Sequence, residues 1–199
     1  MKVTCFTNWK FIKAGRYGEA RRLLRNLEDC EGTQFAAPDA PWFDYGLGQD
    51  WRTIADTLVE LESGRLLLRS LIVSPARRLV ARLQETDPER WARRFELLAE
   101  LVERVMDAEL ERAGIAWLHH VDPIDLPYSF VTHTHPAGEG LESPHAHVIV
   151  PAMDWHRDRF FNVSPDDAAR TRSVAERETE QLFGPHRPGE CSTEEGEAR

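Results

Sequence analysis

The 199 residues carry 41% apolar and 30% charged side chains, a formal net charge of −9 and a mean hydropathy of −0.50. These values exclude a disordered chain, and no apolar run approaches the roughly 20 residues that a membrane-spanning helix needs. The stretch MKVTCFTNWKFIKAG is too polar for a secretory signal. A chain of this length folds as one domain, buries about 70% of its unfolded surface and needs no disulfides. Cys5, Cys30 and Cys191 are scattered and odd in number, which points to a reducing compartment, most simply the cytoplasm.

The charge is uneven. Residues 1–30 and 65–86 are each net basic, whereas 31–64 and 87–199 are net acidic. That balance weakens a nucleic-acid reading without removing it, because a binding groove responds to its local field.

In chain order, residues 3–13 mix β-branched and aromatic with polar residues and predict a strand. Residues 19–28 predict a short helix with Leu23, Leu24 and Leu27 inward. Residues 29–50 have little periodicity and read as a long loop that packs in part. Trp51, Ile54, Ala55, Leu58 and Leu61 recur at helical spacing over 51–62, with Asp50 as the cap. The almost continuously apolar run 65–74 predicts a central strand ended by Pro75, and a short basic helix follows at 76–84. Asp87-Pro88-Glu89 is a helix start, and Trp91, Phe95, Leu98, Val102 and Val105 mark one buried face of a helix that Gly114 stops. Strands are then expected at 115–121, 128–135 and 145–151, with a turn at 122–127 and a wide loop at 136–144. Ser164-Pro165-Asp166-Asp167 opens a last helix to Phe183, closed by Gly184, with a polar tail over 185–199. The order predicts one domain over 1–184 of the α+β class, with a mostly antiparallel central sheet and helices packed on one face.

Six of the eight histidines fall between positions 119 and 147. Alternate residues of a strand share a face, so His133 and His135 point the same way, as do His145 and His147. Antiparallel pairing of the two strands places His-Thr-His against His-Ala-His, with opposed Cβ atoms about 5 Å apart. Imidazoles so placed can meet one divalent ion at about 2.0–2.1 Å. His120 competes for a ligand role, and its neighbour His119 points to the other face. His156 and His186 stand in polar contexts and read as surface residues.

His145-Ala146-His147-Val148-Ile149-Val150 resembles the HUH motif of the relaxases, the mobilisation nucleases of conjugative plasmids. Four further segments resemble that family in its order: AGRYGEARRLLRNLEDCEG at 14–32, LRSLIVSP at 68–75, ERWARRFELLAELVERVMDAELERAGIAWLHHVD at 89–122, and FFNVSPDDAARTRSVAERETEQLFGP at 160–185. The resemblance implies a relaxase-like (HUH) fold that nicks and rejoins single-stranded DNA during mobilisation of a plasmid or other mobile element. It implies histidines that hold a divalent ion (Mg, Mn or Zn) against the scissile phosphate, and a tyrosine that attacks in line. Single-stranded DNA and other mobilisation proteins would be the partners, with no membrane involved.

Two positions depart from the family pattern. Where the family carries its nucleophile, this sequence has Arg25-Asn26-Leu27; Tyr17, eight or nine residues earlier, is the candidate for the catalytic role, its other reading being a turn aromatic that packs on the helix, and Tyr45 and Tyr128 are the other tyrosines. The third metal histidine is either His135, ten residues before His145, or His120 across an insertion. Arginine supplies 22 of the 25 basic residues and forks well onto phosphates. Arg16, Arg21, Arg22 and Arg25 beside Tyr17, and Arg77 and Arg78 with Arg82, are the candidate DNA contacts. Arg170, Arg172 and Arg177 on the last helix read better as a solvated face. Trp9, Trp42 and Trp51 are candidate base-stacking residues, although Trp51 fits the apolar pattern of its helix. Two other readings stay open: a relaxase fold that binds DNA without cleaving it, and an unrelated metal-dependent hydrolase with Asp122 or Glu139 as base.

Overall fold

The computed structural model describes residues 3–34, 40–116, 126–136 and 141–185. The apolar run predicted as a central strand is one: β4 (Leu66–Pro75) lies between β1 (Cys5–Lys13) and β6 (Glu142–Pro151). β6 pairs in turn with β5 (Tyr128–Pro136), whose outer edge carries two short strands, β2 (Thr33–Gln34) and β3 (Phe43–Tyr45). Every pairing between these strands is antiparallel. β2 and β3 fall within the stretch expected to be a loop, and Trp42 next to β3 is 1% exposed.

Among the described residues there are six helices: α1 (Tyr17–Glu28), α2 (Trp51–Glu60), α3 (Arg77–Thr86), α4 (Pro88–Ala92), α5 (Arg94–Ala116) and α6 (Pro165–Phe183). Asp50 caps α2 through the backbone amides of Arg52 and Thr53. Ser164 and Asp167 form a reciprocal capping box on α6. The helix expected to run unbroken from Asp87 is jogged at Arg93, which separates α4 from α5. At the jog the Arg94 guanidinium lies 4.6 Å from the centroids of both Trp91 and Phe95 and pairs with Glu142 at 2.8 Å. Gly114 does not stop α5, which continues through Ala116, so the strand expected at 115–121 does not begin at Ile115; residues 117–121 lie outside the described residues. The tail over 186–199 lies outside them too. The expected wide loop is shorter, because β6 starts at Glu142.

The helices pack on both faces of the sheet, not on one. On the first face, α3, α5 and α6 bury Cys5, Leu71, Val73, Phe130, Val148 and Val150. On the second, α1 and α2 bury Ile12, Leu68, Val131 and Ile149. The reason lies in β4 and β6, whose side chains are apolar on both sides and need cover on both. The second cover is partial. Along β1 the residues of that face run from exposed Phe6 and Lys10 to buried Ile12, and along β6 from half-buried His145 and His147 to buried Ile149. The open half of this face carries the histidines.

Candidate metal centre

Register puts His133 of β5 directly opposite His145 of β6, with His147 two residues further along, the next position on that face, opposite Val131. The ring centroids of His133, His145 and His147 are 5.3–5.4 Å apart in every pairing. One ring nitrogen from each lies within 4.8 Å of the others, so the three can hold a metal ion. The two His-x-His pairs share one face as expected, but they are offset by one pair of residues. His135 therefore faces Ser143, stands exposed at the rim with its ring 4.9 Å from His145, and is outside the triad. His119 and His120 lie outside the described residues, as do Asp122 and Glu139.

Backbone carbonyls set the tautomers of two rings. A carbonyl oxygen only accepts, so the 2.7 Å contact between His133 Nε2 and Leu27 O makes Nε2 the protonated nitrogen and leaves Nδ1 with its lone pair. The same reasoning applied to His145 Nδ1 and Ser143 O, 3.1 Å apart, leaves Nε2 free to bind. A ligating histidine held through its second nitrogen is better oriented and more basic. The Leu27 carbonyl lies in the last turn of α1, the negative end of that helix, which adds to the effect.

All three rings are held neutral. Burial pushes His133 down to about 4 and His147 to about 3, and it lowers His145. Repulsion between the rings acts in the same direction, and the Lys10 ammonium opposes protonation of His147. At neutral pH the three lone pairs need no deprotonation before they bind a cation.

None of the three tyrosines is at this centre. Tyr17 opens α1, whereas Leu27, the residue that touches His133, is near its other end, roughly 15 Å away at 1.5 Å per residue. Register agrees: Tyr17 follows the Lys13–Leu66 end of the sheet, and Ile72, the partner of His147, is about 20 Å of strand from Leu66. The exposed Tyr17 hydroxyl donates to Glu62 Oε1 at 2.6 Å, which raises its pKa. Tyr45 and Tyr128 stack on each other, centroids 4.5 Å apart, on the opposite face of the sheet, where Tyr45 donates to Glu103.

Several arginines face carboxylates instead of the histidines: Arg16 pairs with Glu19, Arg21 with Asp56, Arg25 with Asp29 and Arg177 with Glu178. Arg22 is exposed on α1. Arg77 and Arg78 are exposed at the start of α3, and Arg78 donates to the Val3 carbonyl. The three candidate tryptophans serve the packing: Trp9 donates to Thr171 on the α6 side, Trp42 donates to Glu28, and Trp51, the first residue of α2, packs against the core of the second face. Sequence reading missed the Leu27 carbonyl, which no side-chain pattern reveals. It also missed Lys10, whose charge acts on His147 and whose signal was its alternation in β1.

No protein-family model matches the sequence, and no curated protein is similar to it.

Proposed function

We propose that the protein binds a divalent transition-metal ion through His133, His145 and His147 and uses that centre to hold a phosphodiester of single-stranded DNA. The observation that carries this reading is the trio itself: three neutral imidazoles, two with tautomers fixed by the backbone, on an open half of a sheet face. Three protein nitrogens leave coordination positions for a further ligand, as in catalytic rather than structural sites. An all-imidazole donor set suits Zn, Mn, Fe or Ni better than Mg, which prefers oxygen. When bound, the ion would supply Lewis acidity to a phosphate oxygen. His133 and His145 keep the donor atoms in place, and Lys10 adds positive charge beside His147. A flat face suits an extended polymer, whereas small molecules favour concave pockets.

The relaxase resemblance of the sequence agrees with this ligand and, in part, with the mechanism. With Tyr17 at the far end of α1, tyrosine attack on a phosphate at the histidines has no support. We read the protein as a relaxase-like DNA-binding protein that captures its strand without forming a phosphotyrosine.

The test is fluorescence anisotropy of a labelled single-stranded oligonucleotide with and without Mn²⁺, beside a denaturing gel. Binding that needs the metal and is lost in His147→Ala, with no gel-stable adduct, supports the proposal. Metal-independent binding overturns the role of the centre. An adduct lost in Tyr17→Phe overturns the exclusion of tyrosine chemistry.

A further inference from the structure

The centre is walled on one side. His133 is 1% exposed, is hydrogen bonded to α1 and is paired with Thr33 at the sheet edge. On the other side the sheet continues through β4 to β1, and the rows that continue it stay open. His147 pairs with Ile72, which pairs with Asn8; the neighbouring residues of that face are Ser74 and Phe6 on one side and, on β1, Lys10 on the other. Phe6 is 56% exposed, Lys10 is exposed, and Asn8, Ile72 and Ser74 are half-buried.

Two properties distinguish this surface. None of these five residues is a carboxylate, in a chain whose net charge is −9. Its cation, Lys10, stands on the same face of β1 two residues from Asn8, about 12 Å across the sheet from His147, so a phosphate on the centre and a phosphate beside Lys10 belong to nearby positions of one polymer. A lone exposed phenyl is ordinary on a protein surface. Phe6 is placed differently: two strands from the histidine rows, about 10 Å across the sheet, on the same face and level with the triad. A base next to the captured phosphate can reach it, and any base can stack on a phenyl ring.

We infer that a strand held at the histidines leaves them across β4 towards β1, with Lys10 against a flanking phosphate and Phe6 stacked on a base. This rests on the reading of the centre as a single-stranded DNA site. It adds a subsite, a direction of exit and a mode of binding that is indifferent to base identity.

The experiment titrates a labelled oligothymidylate, with Mn²⁺ present, against the full chain and the variants Phe6→Ala, Phe6→Trp, Lys10→Gln and Lys10→Arg, and measures Mn²⁺ affinity separately. Both positions are on the surface, so the variants keep the fold. Phe6→Ala should weaken DNA binding about tenfold and Phe6→Trp should restore it. Lys10→Gln should flatten the plot of log affinity against log salt by about 0.7, and Lys10→Arg should keep the slope. Mn²⁺ affinity should stay unchanged in both Phe6 variants and in Lys10→Arg, and should rise slightly in Lys10→Gln, where a positive charge facing the ion is removed. Wild-type affinity and slope in both Phe6→Ala and Lys10→Gln, with metal-dependent binding intact, would overturn the subsite and leave the proposed function standing. Failure of the metal-loaded wild type to bind the oligonucleotide would overturn both.

Discussion

His147 shows how one residue couples the site to solution conditions. Its ring is pushed to about 3 and that of His133 to about 4, whereas an unfolded histidine titrates near 6.5. Between these values the unfolded chain binds more protons than the folded one, so stability falls as pH drops below 6.5 and the loss is complete only below the folded values. Thermal unfolding of the metal-free protein should therefore show a falling Tm from pH 7 to pH 5. In His147→Ala the fall should be shallower, since one of the neutral buried rings is gone. Equal slopes in the two proteins would show that the ring takes up its proton in the folded state. Metal binding to the folded protein should hold through that interval and weaken only as the pH approaches the folded values, where a proton and the cation compete for each lone pair.

At the scale of elements, the wall of the centre depends on how α1 hands the chain to β2. Gly32 sits in the connection with φ +88, and a Cβ added there would lie 2.3 Å from the Thr134 carbonyl oxygen. The Thr134 amide is hydrogen bonded to the Gly32 carbonyl, so the two backbones are already tied together. Gly32→Ala should cost more than about 1 kcal/mol in denaturant unfolding, because the left-handed backbone and the clash act together. It should also lower metal affinity, because β2 is paired with His133 itself. Loss of stability with unchanged metal affinity would show that the connection does not hold the ligand. The cap of α2 gives a milder control, Asp50→Ala, expected to cost about 1 kcal/mol and to leave metal affinity alone.

At the scale of the whole molecule, the triad joins two strands and rests on a helix packed across them. An ion that binds only the folded chain should raise the Tm with the logarithm of its free concentration above the Kd. A metal at 100 times its Kd adds about 2.7 kcal/mol, and a chelator should remove the gain. His145→Ala should show neither effect. Much of this arrangement was legible in the sequence, for definite reasons. Strand alternation and an antiparallel hairpin brought the two His-x-His pairs to one face of neighbouring strands without any knowledge of the rest. The one-pair offset that excludes His135 was not legible, because it depends on where the turn falls. The helices on two faces were half-legible: the run Leu66–Pro75 is apolar on both sides and so demands two covers, yet the amphipathic pattern of each helix says only that it has an inner face. The jog at Arg93 was hidden because the apolar spacing of Trp91 and Phe95 runs straight through it. The remoteness of Tyr17 could not be read from a linear string, since α1 has Tyr17 at one end and the carbonyl that meets His133 near the other.

That carbonyl belongs to the main chain, and no point substitution can delete it. A change in that hydrogen bond must come through the backbone that delivers it, by the length or phase of the helix or by the connection at Gly32. A hairpin cut out with all four histidines would keep their spacing and lose this control, so its rings would swap tautomers freely. Insertion of one residue into the helix, which turns that carbonyl by about 100°, would do the same while every ligand stayed in place.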